Sequence, residues 1–384
     1  MKNFLLAASC LFCGFSTAMA ETQQDVVTKK WTFIVFMNGD NNLDSYGDLN
    51  LNQMKSVGSS DDVNIVVLRD RANQATSSKI YYVQKGSLEV VKDFNKNIDM
   101  GDYRNMVDLF KFAQANYPAE HYAFDIWDHG AGWGLTSFIP EFRDISWDDG
   151  TGNYITTPQM GIAMAEMAKL NGGKKIDLVG TDACLMQMAE VVNEVAPSVT
   201  AMVASEEVEP GSGWDYSVPL NFLTQKPEAT ALELGDSIAA GYLATAGTRL
   251  QQSVISIDEL ATLKEKISVF ANTLSEFNTL SKTQIGKIIT QTKGFTYGDF
   301  KDLIDFANKV AAAAPNSELN SAALDVVNAA KDAIKSNHSN IANANGLSIW
   351  IPTKSIHTTK KARYAKLAWN QETTWSNFLA ELYK

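Results

Sequence analysis

The sequence is short of cysteine, of histidine and of long apolar runs. Three cysteines occur in 384 residues. Cys10 and Cys13 sit inside an N-terminal stretch with the pattern of an export leader, so the chain that remains keeps one thiol, Cys184. A single thiol excludes an intrachain disulfide. Beyond the leader no C-x-x-C, H-x-x-H or H-E-x-x-H spacing occurs, which argues against a zinc site. No later stretch reaches the roughly 20 consecutive apolar residues of a membrane-spanning helix. Basic runs are also missing, and 33 basic residues against 44 acidic ones give a net charge of −11. Nucleic acid is therefore a poor partner. The acidity serves solubility first, and a cationic substrate would have to be argued at a site.

The leader is read from Lys2, the apolar run Phe4 to Phe15 and the A-x-A sequence Ala18-Met19-Ala20. It predicts a mature chain from Glu21, exported to a periplasm or the extracellular medium. The segment Leu6-Ala-Ala-Ser-Cys10 has the look of a lipid-attachment site, but its leucine lies one residue too far upstream.

Short β-branched runs alternate with amphipathic stretches. The runs are Trp31–Met37, Val63–Leu68, His121–Trp127, Ile176–Val179 and Val199–Val203. Helical periodicity covers Tyr103 to Ala115, Pro158 to Leu170 and Leu185 to Val195, the last with Met186, Ala189 and Val192 on one face. Alternation of this kind predicts an α/β fold, a mostly parallel sheet with helices on both faces. From about residue 258 the pattern becomes helical, as in Asp299 to Ala313 and Asn320 to Lys335. The polar run Ser336 to Asn345 breaks it, a late strand follows at residues 346–352, and Trp375 to Tyr383 reads as a terminal helix. The division is a core at 21–257 and a helical region at 258–384. Residues 138–157 read as a long loop, of the sort that carries function in compact domains.

Chemistry concentrates at two strand ends. His129 follows the run His121–Trp127 and precedes Gly130-Ala-Gly-Trp-Gly134, whose glycines admit close approach. Cys184 follows Ile176-Asp-Leu-Val-Gly-Thr-Asp-Ala183. In a parallel sheet both fall at the carboxyl edge, where reactive groups gather. An imidazole can take the thiol proton and later return it to a leaving amine. A helix beginning at Leu185 would lower the thiol pKa further. The backbone N–H groups of Gly130 and Cys184 are the natural oxyanion donors. His338, in a polar loop, and His357, among lysines and threonines, are weaker candidates, and His121 begins a strand.

Trp127-Asp-His-Gly-Ala-Gly-Trp133 and Asp182-Ala-Cys-Leu-Met186 together resemble the clostripain family of cysteine peptidases, grouped with caspases, gingipains and legumain. Met37-Asn-Gly-Asp-Asn-Asn-Leu43, residues 204–214 and Gly346-Leu-Ser-Ile-Trp-Ile-Pro352 agree, so the resemblance covers most of the mature chain. Gln187, where the family more often has glycine, departs from it. The resemblance implies a caspase-like fold, Cys184 as nucleophile and His129 as general base. It also implies Asp182 at the floor of a pocket that selects arginine or lysine before the scissile bond, in protein or peptide substrates. A helix N-cap is the competing role for Asp182. Glu206, Glu207 and Asp215 are candidates for a second pocket acid, Ser205 for the same wall, and Asn41 with Asp40 and Asn42 for the pocket rim. A turn role for this last cluster is about as well supported. Family members are typically cut by themselves at a basic residue between the histidine and cysteine segments. Arg143 is the basic residue of that interval lying in the long loop, which implies autocleavage there. Calcium dependence occurs in the family; no EF-hand pattern is present, and Trp147-Asp-Asp149 is a candidate acidic stretch only.

Two other readings fit the same residues. One is an exported two-domain α/β binding protein in which Cys184 is a small buried hydrophobe. The other is an inactive member of the peptidase fold that acts by interaction, against which the intact pair His129 and Cys184 speaks.

Overall fold

A computed structural model of the chain describes residues 27–134, 144–245 and 247–384. The leader and Arg143 lie outside the described residues. In chain order the strands are β1 (Lys29–Gly39), β2 (Val63–Arg71), β3 (Lys79–Gln84), β4 (Ser87–Asp93), β5 (Ala119–Trp127), β6 (Ile145–Asp148), β7 (Asn153–Ile155), β8 (Ile176–Asp182), β9 (Val199–Ala204), β10 (Gln251–Ser256), β11 (Phe300–Asp302), β12 (Ile334–Ser339) and β13 (Ser348–Trp350). Nine of them form one sheet in the order β12-β10-β9-β8-β5-β1-β2-β3-β4. The five central strands β9, β8, β5, β1 and β2 run parallel, and an antiparallel pair closes each edge. Mixed edges on a parallel centre are common in large sheets.

The central strands are buried on both faces because their alternate side chains feed two separate cores. In β1, Ile34 and Phe36 join the core under the helices Tyr103–Asn116 and Thr157–Leu170, whereas Trp31, Phe33, Val35 and Met37 join the core under Asp44–Val57, Ser217–Gln225 and Ala231–Leu243. The first of these cores runs on into the C-terminal helices, through Phe270, Phe306, Trp350 and Trp375. The expected α/β architecture with helices on both faces is present, and the helical region shares the core of the rest.

Two details differ from the sequence reading. The strand that the C-terminal region returns to the large sheet is the polar β12, antiparallel to β10. The apolar late segment, β13, pairs instead with β11 in a separate two-stranded sheet. The helix expected from Leu185 begins at Ala189. Leu185 has φ +66°, Gln187 N–H donates to the Ser205 carbonyl, and Met188 bridges Ser348, so residues 185–188 are held in non-helical pairing. The helix dipole therefore does not act at Cys184.

One glycine fixes how a functional loop covers the sheet. Gly180 on β8 lies opposite Asp125 of β5, and Trp214 packs onto it. A Cβ there would lie 2.7 Å from the Trp214 ring and 3.1 Å from Asp125 Oδ1. Gly180→Ala should therefore destabilise the protein by about 1–3 kcal/mol through overpacking. Helical Gly286, whose added Cβ would meet nothing within 4 Å, should tolerate alanine with a gain of about 0.5–1 kcal/mol. Urea denaturation of both variants checks the pair, and equal midpoints would contradict it.

Candidate active site

Parallel register places the two candidate side chains. Trp127, the last residue of β5, pairs with Asp182, the last residue of β8, and with Met37 of β1. His129 and Cys184 each follow two residues later, so they leave adjacent strands at the same level. Both line one pocket of about 100 Å³, together with Leu43, Asp128, Asp182 and Glu209.

The imidazole is oriented from the turn after β1. His129 Nε2 lies 2.7 Å from Asn42 Oδ1, and its ring is tilted against Trp147 at 6.4 Å. Burial holds its pKa below the ordinary histidine value, with Asp149 acting in the opposite sense. Behind it, buried Asp128 accepts from Asn38 and Asn41 and from the Trp147 N–H. Asn41 also donates to the Trp147 carbonyl at 3.0 Å and accepts from Leu43 N–H. It thus ties the turn together, while its neighbour Asn42 touches the imidazole.

The thiol is held by the loop after β9. Glu209 N–H donates to Cys184 Sγ at 3.2 Å, and the Glu209 carbonyl lies 3.9 Å from the sulfur. Burial pushes the thiol up to about 11; the amides of Glu209, Cys184 and Gly130 act against that shift, and Asp182 adds to it. The Gly130 and Cys184 amides are the two expected oxyanion donors, and both reach the region of the sulfur. Gly130 is fixed as glycine by closeness, since a Cβ would lie 2.5 Å from the Cys184 carbonyl.

Under the thiol lies a group of acids. Asp182 is buried, accepts from Trp214 N–H at 3.1 Å and from Tyr216 O–H at 3.0 Å, and the same hydroxyl donates to Asp125 at 2.6 Å. Its carboxylate bonds to no amide of the helix at Ala189, which removes the N-cap role. Gly213, at φ +56°, permits this approach, because a Cβ would lie 2.4 Å from Asp182 Oδ1. Burial raises the pKa of Asp182, Asp125 and Glu209 alike, and the last two are raised further by Asp182. Glu209 Oε1 accepts from Gln252 at 2.6 Å, while Oε2 is buried without a donor.

Glu209 is the acid that the sequence reading missed, and the three candidates named there point elsewhere. Glu206 accepts from Gly346 N–H beside Asp302. Glu207 pairs with Arg249 and Thr296. Asp215 accepts from Ser217 at the start of the helix Ser217–Gln225. Ser205 closes its own turn through Glu207, so it does not line the wall either. The turn at Ser205 decides which glutamate of the run Glu206-Glu-Val-Glu209 meets the thiol. The acidic stretch Trp147-Asp-Asp149 divides in the same way. Asp149 faces His129, and Asp148 turns away to Asp40 and Asp70.

A profile of the clostripain family matches residues 35–381. Clostripain of Hathewaya histolytica is 26% identical over 216 residues, which is 49% of this chain and 41% of that protein, so less than half of that relative's length is matched. A secreted C11 cysteine protease of Bacteroides thetaiotaomicron, solved with an irreversible peptide inhibitor, superposes with TM-score 0.70 at 20% identity, over 90% of this chain and 99% of that one. An inactive zymogen C11 protease of Parabacteroides distasonis superposes with TM-score 0.68 at 17% identity, over 90% and 99%. These likenesses bear out the fold.

A thiol with a pKa of about 11 is almost wholly protonated at neutral pH, and the sign of that shift is testable. In an Arg143→Ala chain, alkylation of Cys184 by iodoacetamide should be at least tenfold slower at pH 7 than that of free cysteine, whose pKa is about 8.5. The rate should keep rising through pH 9. A plateau below pH 8 would contradict this environment.

Proposed function

The chain belongs to the clostripain family of cysteine peptidases, and we propose that it is an exported endopeptidase cutting after arginine or lysine, with Cys184 as nucleophile and His129 as general base. The observation that carries the specificity is the acid group beside the thiol, in which Glu209 keeps a buried carboxylate oxygen without a donor. A guanidinium or ammonium supplies the missing donor and the missing charge together.

In this reading His129 takes the Cys184 proton and the sulfur bonds to the substrate carbonyl carbon. The N–H groups of Gly130 and Cys184 hold the oxygen that gains charge. His129 then protonates the leaving amine as the C–N bond breaks, and water releases the acyl group from sulfur. The binding-protein reading falls away with family membership. Cleavage after Arg143 is part of the proposal, with both pieces staying in one fold. Asp144, the residue that would begin the second piece, is buried and anchored by Arg363 at 2.6 Å and by Thr157 N–H at 2.8 Å.

Cys184→Ala and His129→Ala should each abolish turnover of an arginine-ended fluorogenic peptide. Glu209→Gln should lower kcat/KM for that peptide by roughly ten- to a hundred-fold, the worth of one charge-assisted hydrogen bond. It should spare Cys184 alkylation. Cleavage by Cys184→Ala would refute the mechanism, and full activity of Glu209→Gln would remove that residue from the pocket. Intact mass spectrometry tests the processing: two fragments meeting at Arg143 are expected in active protein, and an uncut chain at full activity would refute it.

A further inference from the structure

The glycine turn that follows His129 is gripped from the C-terminal region. Its last residues, Trp133 and Gly134, meet β13 and the end of the helix Thr358–Tyr364. The Trp133 ring stands edge-on to the Trp350 and Tyr364 rings, each at 4.9 Å. The Tyr364 hydroxyl and the Trp350 N–H both donate to buried Glu190 at 3.0 Å, so the two rings are themselves fixed. Gly134 lies against an ion pair, Arg363 with Asp144 at 2.6 Å, in which the Asp144 side chain is 1% exposed. A Cβ on Gly134 would lie 2.4 Å from Arg363 Nη2 and 2.8 Å from Asp144 Oδ1. We propose that Arg363 is a positioning residue: acting through Asp144, it holds the turn Gly130–Gly134, and with it the Gly130 N–H, in place beside Cys184.

The link from Arg363 to Gly130 is short. The Asp144 carbonyl accepts from Ala131 N–H at 2.8 Å, and Ile145 forms an antiparallel bridge with Gly130. Residues 144–145 therefore run as a strip of strand alongside residues 130–131. The Asp144 carboxylate anchors that strip, accepting from Thr157 N–H at 2.8 Å on one oxygen and from Arg363 on the other. Burial pushes the Asp144 carboxyl up to about 6, and the Arg363 guanidinium is the first of the groups that act against this shift. A buried carboxylate stripped of its cation is strongly disfavoured. Removing Arg363 therefore drives Asp144 out toward water and loosens the strip that Gly130 and Ala131 pair with.

At the other end of the link the tolerance is small. The Gly130 amide is one of those that act on the Cys184 sulfur, and the Gly130 Cα already sits against the Cys184 carbonyl. An oxyanion donor works only from a fixed place, and losing one costs about 10²–10³ in kcat. A donor that is loosened rather than lost costs part of that factor, and the cost falls on kcat because the developing charge is met only in the transition state. This catalytic consequence rests on the peptidase reading above, whereas the link between Arg363 and the glycine turn does not.

Hydrogen exchange followed by mass spectrometry reads the link itself, in a Cys184→Ala chain, which under the mechanism above cannot cut itself. Adding Arg363→Ala should speed exchange in the peptide covering residues 130–134 at least tenfold and leave the peptides of β5 and β8 as protected as before. Arg363→Lys, which keeps the charge, should have a smaller effect. Turnover reads the consequence, on active protein in one cut state as judged by intact mass. Arg363→Ala should lower kcat for an arginine-ended peptide at least tenfold per titrated thiol, with KM changed less than threefold, and Arg363→Lys should recover most of the loss. Asp144→Ala should match Arg363→Ala, and the double variant should be no worse than either, because the pair acts as a unit. Should Arg363→Ala not fold, Arg363→Gln carries the same expectations. Unchanged exchange at residues 130–134 would overturn the link, and a loosened turn with unchanged kcat would overturn its catalytic role. A wild type that cleaves no peptide would refute the peptidase reading, and that role with it, while the exchange result still decides the link.

Discussion

Everything at the reactive edge depends on the parallel pairing of β5 with β8. Hydrogen bonding between these strands sets Trp127 against Asp182, and equal two-residue exits then deliver His129 and Cys184 side by side. Neither residue is on a helix, and neither needs a helix dipole. A slip of one residue would turn Cys184 from the pocket towards the core on the opposite face. Such a slip is resisted by the fully buried apolar side chains that both strands send to both cores.

The second constraint is the burial of like charges beneath the sulfur. Asp125, Asp182 and Glu209 share one small volume, and the donors that reach them are all neutral: the Tyr216 hydroxyl, the Trp214 and Asp182 N–H groups and the Gln252 amide. Their raised pKa values have a clear sign. The folded state favours the protonated acids, so these groups support stability at low pH and withdraw that support as the pH climbs through their folded values. An arginine entering the pocket, as the proposed specificity requires, would reverse the balance by stabilising the ionised forms. The thiol obeys the same physics. With burial and Asp182 both raising its pKa, Cys184 rests as a neutral thiol hydrogen-bonded to the Glu209 backbone, away from the role a nucleophile needs.

The sequence carried some of this openly. Short, mostly apolar runs announce central parallel strands, and candidate residues just past their ends stand out because histidine and cysteine are so few. Glu209 was hidden among three glutamates in four residues, since only the turn at Ser205 selects which one faces the thiol. The strand β12 was hidden for a different reason. It lies at the sheet edge, where polar residues such as Lys335, Asn337 and His338 are solvated and blunt further pairing, so its pattern reads as a loop.

Charge recognition by the buried acids next to Cys184 is the centre of the account. The most direct measurement compares kcat/KM of the purified protein for two peptides that differ only in arginine against citrulline before the scissile bond. Citrulline keeps the shape and removes the charge, so a preference for arginine of at least a hundredfold is predicted. Equal rates would contradict the account.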